Sequence, residues 1–127
     1  MDLIREIVVE TRMAAILITH DLALAGEYCD RILVMHAGHI VESAPTASFP
    51  DGLKHPYTRK LFAATPAVAA TLDDLAAIPG ALPDLRRVLP FCRYRARCER
   101  ARPECDLRQV PNALVAPDHA VRCRYPS

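Results

Sequence analysis

The chain has 127 residues, which is one small domain or two pieces of larger ones. A formal charge of +1 excludes a general electrostatic binder of nucleic acid or of anionic membrane. Hydrophobic residues make up 51%, enough for a core, but many are Ala, which buries little area. No stretch approaches the length of a membrane-spanning helix. Acidic residues interrupt the opening segment Met1–Glu6, so it does not read as a signal peptide and a cytosolic location is expected. In a reducing compartment, five cysteines point to a metal or catalytic site before a disulfide framework.

Residues 1–12 read as a helix, with Leu3, Ile4, Ile7 and Val8 at helical spacing. No capping residue precedes it, so the chain is expected to begin inside an element. Ala14–Thr19 is a short apolar run rich in branched residues and reads as a buried strand of a parallel sheet. Asp21 is placed to cap a helix over residues 22–29. Arg31–His36 reads as a second strand, Ala37-Gly38 as a tight turn, and His39–Glu42 as its hairpin partner. The predicted fold class is therefore α/β, with residues 1–50 as the closing part of a sheet domain. Residues 51–127 differ in composition. Pro56 opens a helix through Tyr57, Leu61 and Phe62 that stops before Pro66. Residues 67–77 are Ala-rich and read as a loop or weak helix. Beyond Pro79 prolines recur and periodicity fades, so something besides a hydrophobic core is needed to hold the segment.

Two sets of residues carry chemistry. His20 lies at the C-terminal end of the first predicted strand, the edge where open α/β sheets bind ligands. Its imidazole could donate to a phosphate oxygen or orient a water; on position alone it reads as a capping residue. Cys92, Cys98, Cys105 and Cys123 form a four-thiol set among many arginines. Four thiolates suit an iron–sulfur cluster or a tetrahedral zinc, or remain free thiols or disulfides. The spacing matches neither the paired zinc pattern nor the common ferredoxin pattern. Nearby arginines would favour thiolates. Arg86, Arg87, Arg93, Arg95, Arg97, Arg100, Arg102 and Arg108 read as a solvated face around this site, ahead of an RNA-binding surface. His119 reads as an orienting neighbour or a substitute ligand, and Cys29 as a buried thiol.

The string ILITHDLALAGEYCDRILVMHAGHIVE resembles the switch-histidine segment of ABC ATPases and the strands after it. His55-Pro56-Tyr57-Thr58, with Thr65-Pro66, Ile78-Pro79-Gly80 and Pro83, resembles the C-terminal extension of the oligopeptide and dipeptide importer subgroup. The resemblance covers essentially the whole chain. It implies the closing part of a nucleotide-binding domain over 1–50 and the importer extension over 51–127. It implies that His20 meets the terminal phosphate of ATP, with Mg, in a full-length parent. Peptide uptake would be its work, with nickel importers as near relatives. It implies a second ABC ATPase subunit and transmembrane permease subunits as partners, no nucleic acid, and a peripheral place on the cytoplasmic face of the membrane. It also implies a [4Fe-4S] cluster on Cys92, Cys98, Cys105 and Cys123, with Zn as the alternative; a non-enzymatic metal-binding regulatory module is the other class of function. The sequence contains no G-x-x-x-x-G-K followed by Ser or Thr and no Leu-Ser-Gly-Gly-Gln-like signature. Thr71–Asp74 is a poor match to a strand ending in a metal-binding acid. The chain is thus expected to be a truncated or fragmentary piece that is inactive as an ATPase alone.

Overall fold

A computed structural model describes residues 2–65 and 78–127. The Ala-rich segment 67–77, including Thr71–Asp74, lies outside the described residues. Helix α1 spans Asp2–Thr11 and helix α2 spans Leu22–Tyr28. As expected, Asp21 caps α2: its Oδ1 accepts from the backbone N–H of Ala23 at 2.9 Å and of Leu24 at 3.0 Å. Strands β1 (Arg31–His36) and β2 (His39–Pro45) form the foreseen hairpin. Ala37 and Gly38 both take positive φ, 49° and 79°, the conformation that lets a two-residue turn match the strand twist. Helix α3 spans Pro56–Ala63 and ends before Pro66, as its sequence predicts.

The expected strand at Ala14–Thr19 does not form. The segment has no regular structure, and Ile16 and Ile18 are each 93% exposed. A fully buried parallel strand needs hydrogen-bonding neighbours and helices covering both faces. Among the described residues no strand lies beside this one. Helix α1 likewise buries none of its residues. The expectation of a parallel sheet is corrected accordingly: the fold is a small α/β arrangement around a four-stranded antiparallel sheet.

Two of its strands come from a region with no strand expected from the sequence. β3 (Ala113–Ala116) and β4 (His119–Val121) form a second hairpin, and β4 pairs with β2 to give the order β1-β2-β4-β3. The signal was present as two apolar runs flanking Pro117-Asp118. The sheet therefore takes strands from both sides of residue 50. Ile32, Val34 and Val41 pack with Ala25 of α2 and with Phe49, Tyr57 and Leu61 into the core. Arginine side chains tie the irregular segments together by donating to backbone carbonyls. Arg97 donates to Ile78 and Pro79 at 2.8 Å each, and Arg122 to Ile40 and Val110 at 3.2 Å each. Arg93 donates to Ala37. Arg86, Arg87, Arg100, Arg102 and Arg108 are exposed, but Arg93, Arg95 and Arg97 are half-buried, so the arginine stretch is only partly a solvated face.

Candidate functional site

The HPYT run is a joint, and each residue type has a reason to be there. His55 caps α3: its Nδ1 accepts from the Tyr57 N–H at 3.0 Å, and Pro56 occupies the first turn, where no N–H is needed. The backbone N–H of His55 donates to Oε2 of Glu42 at 2.9 Å, and that of Lys54 donates to Oε1 at 2.8 Å. Glu42 is fully buried on β2, and Nε2 of His119 on β4 lies 2.7 Å from its Oε1. One carboxylate thus fastens the helix entry and the second hairpin to the first. His119, expected near the thiols, is occupied by Glu42 instead; this corrects both readings of it. Cys29 is half-buried rather than buried, and its carbonyl accepts from the Thr46 hydroxyl. Burial depresses His55 to a pKa of about 4, outweighing the pull of Glu42 in the opposite direction.

The rings of His36, His55, Tyr57 and Tyr94 stack at centroid separations of 4.5–5.8 Å. This stack holds Tyr94 in place at 2% exposure. Beyond it lies a small, partly open cavity of about 20 Å³ whose walls include Cys92, Cys98, Cys105 and Cys123. Irregular backbone and a short helical turn deliver the first three cysteines. Cys92 and Cys105 are tied by a backbone hydrogen bond of 3.1 Å, and Cys98 ends the Arg95–Arg97 turn. Cys123 arrives just past β4, which brings the chain end back to the earlier three.

The backbone two residues further on hydrogen-bonds to three of these sulfurs: Tyr94 to Cys92, Arg100 to Cys98, and Tyr125 to Cys123, the last at 3.4 Å. Those bonds favour thiolates, yet burial raises all three thiols above their ordinary pKa, and the charge of neighbouring thiols adds to the rise. Among the described residues, no three His, Cys, Asp or Glu side chains form a ready metal-ligand set. Among the residues lining the cavity, the buried hydroxyl of Tyr94 and Nε of Arg124 find no acceptor in the protein, while Nε of Arg95 is paired with Asp106. An anionic occupant would satisfy them.

The structure brings the four predicted cysteines to one cavity and leaves His20 far from them in character. His20 is exposed, next to the Asp21 cap and at the end of the unformed strand. Glu42, Arg122 and Arg124 are the residues that sequence reasoning did not single out. Glu42 read as the end of a hairpin strand; its burial comes with the contacts to Lys54, His55 and His119, which are distant in sequence.

Residues 41–105 match the family described as the oligopeptide/dipeptide transporter C-terminal region. A Brucella abortus (strain 2308) protein named for ATP binding in peptide import is 40% identical over 123 residues, 97% of this chain and 37% of its own length. The dipeptide transport ATP-binding protein DppD of Escherichia coli (strain K12) is 33% identical over 126 residues, 99% of this chain and 38% of its length. The oligopeptide transport ATP-binding protein AppD of Bacillus subtilis (strain 168) is 32% identical over 123 residues, 97% of this chain and 38% of its length. The chain thus spans little more than a third of these relatives. No helix among the described residues is long and apolar enough to cross a membrane. The chain belongs to the family of the oligopeptide/dipeptide transporter C-terminal region.

Proposed function

We propose that this chain is the C-terminal portion of the ATP-binding subunit of a peptide-import ABC transporter, in which ATP hydrolysis drives uptake. One observation carries this reading: 97–99% of the chain aligns with proteins named for ATP-binding in peptide transport. On it, residues 1–50 close the nucleotide-binding domain and residues 51–127 are the importer extension. The partners are a second ATPase subunit and transmembrane permease subunits, on the cytoplasmic face of the membrane. His20 donates a hydrogen bond to the terminal phosphate of ATP held with Mg at the interface of two such subunits. The exposed Ile16 and Ile18 support this reading, since a strand that presents His20 needs the rest of a sheet around it. The test is ATP hydrolysis and peptide uptake by the full-length subunit assembled with its permease. His20→Ala should lower hydrolysis by about 100-fold or more, the usual cost of one such transition-state hydrogen bond. Normal hydrolysis in that variant withdraws the role of His20.

Cys92, Cys98, Cys105 and Cys123 are read as the ligands of one [4Fe-4S] cluster, with zinc second. Support comes from their shared cavity, from the N–H groups directed at three of the sulfurs, and from the two unsatisfied donors. The cluster would supply closure of the loops and a one-electron couple; the chain's residues bind it, bury it and shield it from water. Anaerobic purification with iron and sulfide analysis tests this. Zinc without iron under those conditions favours the alternative ion.

A further inference from the structure

A second cavity lies beside the ring stack, where the turn of the first hairpin meets the irregular segment. Its volume is about 20 Å³, room for one water-sized body. The lining includes His36, His39, Arg93, Gln109 and Arg122 and no Asp or Glu. His36, at the end of β1, is 3% exposed, and its Nε2 is buried without a hydrogen-bond partner. Nε of Arg93 is likewise buried and unpartnered, although Nη1 of the same side chain donates to the Ala37 carbonyl. Arg122 spends Nε and Nη1 on the carbonyls of Ile40 and Val110. Both guanidiniums are half-buried, and among the described residues neither forms an ion pair. Carbonyl partners fix a guanidinium in place but do not cancel its charge, and a charge drawn out of water is normally paired. The field reaches His39, whose pKa is lowered by burial first and then by the charges of Arg93 and Arg122.

We propose that this cavity binds a single monatomic anion, a halide such as chloride. Nε–H of Arg93 and the guanidinium of Arg122 hold it, and Nε2 of His36 joins them when that nitrogen carries a hydrogen. Size selects the occupant, because tetrahedral oxyanions such as phosphate and sulfate are too large for a space of one water. Charge selects it too. A water would reach the orphaned nitrogens but would leave two guanidiniums uncompensated in a half-buried place, whereas an anion does both. The bound ion joins three stretches far apart in sequence: the first hairpin turn, the segment at Arg93, and the chain just past β4 at Arg122. Its work is therefore to stabilise this junction. The site is independent of the transport reading and of any occupant of the thiol cavity.

The experiment uses the full chain and follows thermal unfolding while sodium gluconate is replaced by sodium chloride at constant ionic strength. The melting temperature should rise saturably, by about 3–5 °C, and sodium bromide should reproduce the rise. Arg93→Gln and Arg122→Gln should each lose most of it, while exposed Arg59→Gln, a control for net charge, should keep it. A crystal soaked in sodium bromide and measured at the bromine absorption edge should show an anomalous peak between Arg93 and Arg122. A melting temperature indifferent to the exchange of gluconate for chloride overturns the proposal. So does a rise that persists in full in Arg93→Gln and Arg122→Gln, which is a general salt effect. A cavity without anomalous signal holds only water and overturns it as well. A bromide peak without the solution effect is binding at crystal concentration only and counts against it equally. If the two variants fail to fold, the wild-type titration and the bromide peak decide.

Discussion

Two six-residue runs, Ala14–Thr19 and Arg31–His36, have much the same character and opposite fates. Both are short, apolar and rich in branched residues. The second alternates buried and exposed positions along β1, with Ile32 and Val34 in the core and β2 beside it. The first has no partner strand among the described residues and leaves Ile16 and Ile18 in water. Strand propensity describes a fit to a pleated, half-buried surface, and the surface must be supplied by the rest of the sheet. A hairpin brings its own neighbour two residues later; a parallel strand does not.

The comparison can be broken by variants that act on one region and spare the other. The largest effect should come from Glu42→Ala, which leaves two buried N–H groups and His119 without their acceptor. Chemical denaturation should show a loss of about 3–5 kcal/mol, with the second hairpin released. Ile32→Ala should follow at roughly 2–5 kcal/mol, as for other large-to-small core changes. A loss below 1 kcal/mol there would mean that β1 is no better packed than Ala14–Thr19.

Lowering pH sharpens the contrast further. His55 is held near 4 by burial, and burial also lowers His36 and His39. The native state therefore binds fewer protons than the unfolded chain between about pH 6.5 and 4. Stability is fully present above that window, falls as pH drops through it, and levels off below the folded value. His55 alone contributes on the order of 3 kcal/mol across it. A urea titration at several pH values measures this, and His55→Asn should flatten the slope. The smallest effect should be that of Ile16→Ala in this chain, within about 0.5 kcal/mol, because the side chain is already solvated.

Local signals were legible wherever neighbours in sequence are also neighbours in space. The Asp21 cap, the Ala37-Gly38 turn and Pro56 at the start of α3 each depend on a few adjacent residues, and each formed as read. Long-range features were not. Nothing near Glu42 announces that its carboxylate will meet Lys54, His55 and His119, and nothing near Arg122 announces its two carbonyl partners. The four cysteines were visible as a set because thiols are few and chemically distinct. The unpartnered hydroxyl of Tyr94 was not, since it has no counterpart in the sequence. The family was legible from the long ordered string around His20 and from HPYT, and the C-terminal-region match agrees with it.

The strand order carries a consequence for how the molecule is made. β2 and β4 are sheet neighbours, yet Glu42 and His119 are separated by 77 positions. A ribosome adding about 5–20 residues per second needs roughly 4–15 s to cover that gap. For that interval the first hairpin waits with one edge of β2 unpaired and Glu42 without His119. An unpaired edge is a template for wrong partners. Nascent chains stalled between these strands should therefore recruit chaperones, and that recruitment should end once His119 has cleared the exit tunnel.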